Sequence, residues 1–260
     1  MTPEQARRDV GDNYRHGCHI GRAGVAVNRG KDCTFGAARG KQTVVLYGDS
    51  HAAQWFPPLA ALARAEGWRL ITLTKVACPV GDVVVFNKAL KRRYRECESW
   101  RADALRQVKA LRPQLVVVAS RADYYQQFRS GRVRSVEASR AALGRALGRD
   151  LGRLRSPGTR VVLLRDTIAP NVGNVPDCIE HRGSNACRFS RAVATPVDSH
   201  QLTAARRAGV KVVRMRTPVC ATSRCDVVRD GMIMYRDDDH LTATFALSLR
   251  RALSSRLPLL

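Results

Sequence analysis

The sequence lacks any apolar run long enough to cross a bilayer. Its longest, such as Val83 to Phe86 and Leu115 to Ala119, fall far short of the roughly 18 residues a membrane helix needs. Met1 to Val10 holds Glu4, Arg7, Arg8 and Asp9 around no apolar stretch, so this segment does not read as a signal peptide. Acidic residues are scarce, 22 Asp+Glu against 45 Lys+Arg, and the net charge of +23 speaks to partners and solubility, not to fold. Aromatics are only 6% of residues, the arginines are spread over most segments, and no C-x-x-C doublet occurs. A nucleic-acid-binding module is therefore disfavoured, since neither a finger nor an aromatic binding sheet is available. There is no internal repeat and no low-complexity segment. With 45% hydrophobic and 26% charged residues the composition is globular, and 260 residues suit one sizeable α/β domain.

Cysteine is plentiful. The eight cysteines fall into neighbouring pairs, Cys18 with Cys33, Cys78 with Cys97, Cys178 with Cys187 and Cys220 with Cys225, and the tight doublets of a zinc site are missing. Disulfides are expected in preference to metal ligation, this nearest-neighbour connectivity being one of about 105 that eight cysteines allow, and with them an oxidising, extracytoplasmic compartment. An exported domain without an export signal of its own is expected to be a piece of a larger, membrane-bound protein.

Residues 1–41 are polar and glycine-rich, with Gly17, Gly21, Gly24, Gly30 and Gly36, and have no sustained period. They are expected to form an irregular lead held by Cys18 and Cys33, followed by a catalytic domain over 42–260. Thr43 to Tyr47 is a short β-branched apolar run that ends in Gly48, and Ala52, Leu59, Leu62 and Ala63 then recur at helical spacing. Strands are expected at Trp68 to Leu73, Leu115 to Ala119, Thr159 to Leu164 and Lys211 to Val213. Helices are expected at Asn87 to Leu111, between Val133 and Leu154, and near Asp198 to Ala208. In the second of these Leu143, Leu147, Leu151 and Leu154 form one stripe opposite Arg145, Arg149 and Arg153. Short apolar strands alternating with amphipathic helices indicate an α/β fold, a doubly wound, flavodoxin-like, five-stranded parallel sheet covered on both faces. Ligands then bind beyond the carboxyl ends of the strands.

The loop after the first of these strands reads Gly48-Asp49-Ser50-His51 and enters a helix at once. A serine there presents its hydroxyl at the sheet edge, while the helix N-terminus offers unpaired N–H groups to an oxyanion; alternatively Ser50 only caps the helix. Near the other end, Asp237 and His240 are three residues apart, so one turn can bring carboxylate to imidazole and leave the far ring nitrogen free to take a serine proton. Asp238 and Asp239 are expected to cap the final helix. His51 is expected to point away from the site as a structural residue, and Asp49 to hold the turn by accepting backbone hydrogen bonds. His16, His19, His181 and His200 lack ligand spacing and read as surface or loop residues. Trp55 and Trp100 read as core, Trp68 packs at a strand start, and Arg165 with Asp166 reads as a mutual ion pair.

Val45-Leu46-Tyr47-Gly48-Asp49-Ser50-His51 with Asp237-Asp238-Asp239-His240-Leu241-Thr242 resembles the SGNH (GDSL-like) hydrolase superfamily. More narrowly, it resembles the SGNH domains fused behind the acyltransferase-3 membrane domain of bacterial envelope acyltransferases. Lys75-Val76-Ala77-Cys78-Pro79, Cys97-Glu98-Ser99-Trp100, and the Cys220 to Cys225 turn ahead of Val227-Val228-Arg229-Asp230-Gly231 share in that resemblance, which spans roughly Val44 to Leu253. It implies Ser50 as nucleophile, His240 as general base and Asp237 as its orienting acid. It also implies an oxyanion hole from the Ser50 N–H, a second-block glycine and a third-block asparagine amide. Gly81 is the nearest glycine, with the backbone at Ala77 or Cys78 as alternatives. The asparagine is missing: the chain reads Ser120-Arg121-Ala122-Asp123, leaving Ser120, Arg121 or a partner domain to stand in.

The activity so implied is O-acyl transfer outside the cytoplasm, an acyl group, acetyl by preference, passing through Ser50 to a hydroxyl of a cell-envelope glycan or glycolipid. No metal or organic cofactor is needed. The implied partners are an N-terminal acyltransferase-3-type membrane domain and, through the arginine excess, anionic lipid or acidic polymer. An esterase that removes such groups is the near alternative. A non-catalytic module binding polyanions or glycans is the distant one.

Overall fold

A computed structural model describes residues 1–27 and 32–258; Gly30 and the last two residues fall outside that description. The apolar runs form strands buried on both faces. In chain order the central sheet holds β1 (His19–Ile20), β2 (Thr34–Gly36), β3 (Thr43–Gly48), β4 (Arg69–Lys75), β5 (Leu115–Ala119), β6 (Arg160–Leu164) and β7 (Lys211–Val213). Across the sheet the order is β4-β3-β5-β6-β7, all parallel, with β1 and β2 both on the outer edge of β4. The five expected strands are present in doubly wound order, and the sheet is larger than expected by the two short strands of the lead.

The helices that matter for the site and its support are α1 (Pro3–Arg8), α2 (Ser50–Ala53), α3 (Phe56–Ala65), α4 (Arg95–Leu111), α5 (Val136–Leu154), α6 (Ser199–Arg207) and α7 (Ala243–Ser248). Successive strand residues face opposite ways. Val44 and Leu46 of β3 therefore pack into one layer with Leu59 of α3 and Phe245 of α7, while Val45 and Tyr47 pack into the other with Trp100 of α4, Leu147 of α5 and Ala204 of α6. Trp55 and Trp100 lie in these cores as expected.

From β3 the chain runs outward to β4 and then crosses back to β5. The strand order thus reverses between β3 and β5, which opens a crevice at their carboxyl ends. Gly48 and Ala119 are register partners at that point. A Cβ on Gly48 would lie 1.8 Å from the Ala119 carbonyl oxygen and 2.9 Å from Ala52 Cβ, so only glycine lets the strands close here and the chain turn directly into α2.

The lead expected to be irregular over 1–41 has regular segments. Thr2 and Gln5 form a reciprocal capping box that starts α1. β1 runs parallel to the end of β4, and β2 antiparallel to its start. Their pairing comes from the free edge of β4, which needs partners for its N–H and C=O groups. The lead also docks on α7, where Asp9 accepts from Ala243 N through its carbonyl (3.1 Å) and from Thr244 N through its side chain (2.8 Å). An acidic group there suits the positive end of a helix. His19 is a buried member of β1, not a surface residue. Its Nδ1 lies 3.0 Å from Thr74 Oγ1, and burial, aided by Arg236, pushes its pKa down to about 3. Lys75 is also buried, its ammonium donating to the carbonyls of Gly21, Arg22 and Gly24 at 2.6, 3.0 and 2.7 Å.

All four neighbouring cysteine pairs are joined. The helix expected from Asn87 starts only at Arg95, because Asn87 Oδ1 accepts from the backbone N–H of Ala89 and Leu90, both at 3.0 Å. That Asx turn bends 85–93 into a hairpin of Val85–Asn87 with Arg92–Arg93. Arg165 and Asp166 form no mutual ion pair: Arg165 pairs with Asp198 at 2.5 Å, and Asp166 turns inward.

Candidate active site

Asp49 caps α2 and ties three loops together. Its Oδ1 accepts from His51 N at 2.8 Å, and its Oδ2 accepts from Ser120 Oγ (2.8 Å), Arg121 N (2.8 Å) and Tyr125 OH (2.6 Å). The carboxylate is fully buried, and four donors satisfy it. Asp49 thus holds the turn as expected, and through it the loops after β3 and β5 become one unit. Ser50 follows as the first helical residue. Its N–H therefore has no intrahelical acceptor and lies at the positive end of the turn.

The loop from Tyr235 to Leu241 closes over this unit. A bridge between Tyr235 and Leu241 shapes it, with Arg236 N donating to the His240 carbonyl at 2.9 Å. Gln54 then fastens the loop to α2, accepting from Leu241 N at 2.8 Å and donating to the His51 carbonyl at 3.3 Å. Asp237 and His240 meet as their spacing implies. Asp237 Oδ1 accepts from His240 N at 2.7 Å, and Oδ2 lies 2.9 Å from His240 Nδ1. Burial would raise the Asp237 pKa, but the hydrogen bond and charge of His240 outweigh it and hold the carboxyl below its usual value. With Nδ1 so engaged, His240 Nε2 is buried and has no hydrogen-bond partner among the described residues.

Two expectations fail here, both for residues that a local reading assigns to caps or scaffolding. Neither Asp238 nor Asp239 caps the final helix; Thr242 does, its Oγ1 accepting from Phe245 N at 3.2 Å. Asp239 is buried in the site instead, with Oδ1 2.8 Å from His240 Nδ1 and Oδ2 paired with the Arg121 guanidinium. His51 does not point away. Its ring lies 4.8 Å from that of His240, with Nδ1 2.7 Å from Asp166 Oδ1 and Nε2 3.7 Å from Asp239 Oδ1. Burial alone would lower the His51 pKa, but the carboxylates of Asp166 and Asp239 raise it to about 10. Asp166 completes the set, accepting from Ala122 N (2.8 Å) and Thr167 N (2.9 Å) besides His51. Gln54 could have been found by spacing, since it lies one helical turn after Ser50 on the same face. Asp166 carried only its position just beyond β6 at the sheet's carboxyl edge.

The third-block substitutes are committed to structure. Ser120 and the Arg121 backbone hold Asp49, while the Arg121 guanidinium lies over the Tyr124 ring at 4.5 Å and reaches Asp239. Gly81 has a packing reason for being glycine, since a Cβ there would sit 2.7 Å from Leu147 N of α5. Ala77, just past β4, takes the left-handed conformation with φ 49°, strain that a non-glycine residue keeps at functional turns more often than elsewhere. One donor atom each from His51, Asp239 and His240 lies within 4.8 Å of the others, close enough to share a cation. In the arrangement seen, the Arg121 guanidinium already supplies positive charge to Asp239.

A parallel α/β sheet with a serine at the first crossover and an Asp-x-x-His loop over it defines the SGNH class of fold. The profile of the SGNH domain (fused to AT3 domains) matches residues 17–255, and the chain belongs to that family. Among solved structures, the periplasmic domain of the lipopolysaccharide acetyltransferase of Salmonella ser. Paratyphi A shares the fold at a TM-score of 0.64 and 18% identity, over 94% of this chain and 95% of that one. A putative GDSL-like lipase from Parabacteroides merdae ATCC 43184 aligns at a TM-score of 0.44 and 11% identity, over 84% of this chain and 97% of that one. No curated protein matches the chain by sequence. No helix among the described residues is long and apolar enough to cross a membrane.

Proposed function

We propose that this domain is a serine-dependent O-acyltransferase working outside the cytoplasm. The observation that carries the reading is His240: its Nδ1 is held by Asp237, and its Nε2 is unpartnered among the described residues, on a loop fastened to the helical turn that bears Ser50. In the reaction Ser50 Oγ attacks the acyl carbonyl carbon as its proton passes to His240 Nε2. The donor's leaving group departs with that proton, and the acyl group stays on Ser50. An acceptor hydroxyl then gives its proton to His240 and attacks the same carbonyl, and the Ser50 oxygen leaves reprotonated. Asp237 fixes the Nδ1–H tautomer and stabilises the transient imidazolium. For the oxyanion, the Ser50 N–H and the backbone at Ala77–Cys78 are the donors we assign; packing against α5 accounts for Gly81 without that role.

Family membership supports the fusion partner, an acyltransferase-3-type membrane domain N-terminal in the same protein, which would deliver the acyl donor. Likeness of fold to the Salmonella domain, together with the disulfides, supports an extracytoplasmic site and a cell-envelope glycan or glycolipid as acceptor, with acetyl as the group moved. Hydrolysis differs only in that water replaces the acceptor hydroxyl, so an O-acetyl esterase would share every residue named. Measuring release of acetate from a simple acetyl ester by the wild type, Ser50→Ala and His240→Gln tests the shared step. The reading requires both variants to lose activity, and survival of activity in Ser50→Ala overturns it.

A further inference from the structure

His51 is a buried histidine beside a general base, and the reaction just described gives it no task. It lies on the element that bears Ser50, yet its ring contacts two other parts of the fold. Asp166, beyond β6, is 2.7 Å from Nδ1. Asp239, on the loop of His240, is 3.7 Å from Nε2. His240 itself lies alongside, with ring centroids 4.8 Å apart. Behind Asp239 stands Arg121, and Asp49 holds the His51 backbone N–H.

Asp166 has little freedom. Its two oxygens accept from the backbone N–H groups of Ala122 and Thr167 as well as from His51, so it is an anchor built into two loops. With its Nδ1 on that anchor, His51 holds Nε2 3.7 Å from Asp239 Oδ1, within ion-pair range and beyond hydrogen-bond distance. Asp239 in turn is buried with neither carboxylate oxygen in an aligned hydrogen bond, held by ion-pair contacts to Arg121, His51 and His240. A buried carboxylate without such contacts would be expelled or protonated.

We propose that His51 is a positioning residue for the transfer reaction, a bridge from the Asp166 anchor that sets Asp239 as a second carboxylate against His240 Nδ1. The inference rests on the acyl-transfer reading of Ser50 and His240. In this arrangement Asp237 orients the imidazole, while Asp239, whose charge is shared with Arg121 and His51, adds stabilisation when His240 becomes cationic. That His51 carries a proton over the working range agrees with the balance of burial against its two carboxylates.

The test compares wild type, His51→Asn, Asp239→Asn and the double variant by kcat and KM on a soluble acetyl ester, with Ser50→Ala in parallel. We expect kcat for His51→Asn to fall about 10- to 100-fold, the loss that a small misplacement of a reacting group produces, with KM within about 2-fold. The double variant should lose no more than the worse single one, as residues acting as a unit do. Unchanged kcat in a folded His51→Asn, an equal change in KM, or additive losses would overturn the proposal. If His51→Asn does not fold, nitrogen NMR of the wild type decides: both His51 ring nitrogens should stay protonated from pH 6 to 8, and titration within that range would overturn it. Activity in Ser50→Ala would instead sink the acyl-transfer reading, an outcome distinct from any His51 result.

Discussion

Asp49→Asn puts the organisation of the crevice to a quantitative test. The carboxylate accepts three donors on Oδ2 and one on Oδ1, so an amide in its place must face its NH2 toward a donor whichever way it lies. The cheaper orientation turns the NH2 toward His51 N, which removes the α2 cap at about 1 kcal/mol. The remaining three bonds change from charge-assisted to neutral, and each weakens by about 1 kcal/mol. The sum is about 4 kcal/mol, or a fall in Tm of about 8 to 16 °C for a chain of this size. Thermal and urea unfolding followed by circular dichroism, with an unchanged urea slope, would report it. A Tm within about 2 °C of wild type would refute the claim that this carboxylate joins the loops after β3 and β5, since surface substitutions move stability that little.

Gly48→Ala should lower stability by more than about 3 kcal/mol and abolish acetyl release, because its Cβ would lie 1.8 Å from the Ala119 oxygen and push β3 and β5 apart; near-normal unfolding in urea would contradict this. His19, with its pKa depressed to about 3, binds fewer protons folded than unfolded between that value and the ordinary 6.5. Stability should therefore fall as pH drops through this window, and His19→Gln should flatten the slope; equal slopes in acid titrations of stability would count against it. On α5, Arg145, Arg149 and Arg153 are exposed. Replacing all three by Glu should weaken binding to vesicles of anionic lipid at low salt, and undiminished sedimentation with vesicles would remove this face from the proposed membrane attraction.

The strands of the parallel sheet were legible because burial on both faces turns them into continuous apolar runs, as at Leu115–Ala119. The contact of Asp237 with His240 was legible because a separation of three residues lets one turn bring carboxylate and imidazole together. β1 and β2 were not, since two or three residues cannot show a period and their pairing is dictated by the edge of β4. The late start of α4 turned on a single Asx turn at Asn87, which outweighed the helical content of the residues after it. Asp239 and His51 escaped for a different reason. Each sits beside a motif residue with an ordinary local job available, and what decides their roles is contact between the loops after β3, β5 and β6 and the loop of His240.

The central claim is a covalent acyl intermediate on Ser50 that passes to a hydroxyl acceptor. Intact mass spectrometry after exposure to an activated acetyl donor measures it directly, with and without candidate envelope sugars. The account predicts an added acetyl mass that maps to Ser50, disappears in Ser50→Ala and discharges faster with an acceptor sugar than in buffer. Acetyl turnover by Ser50→Ala, or an adduct on any other residue that supports turnover, would contradict it.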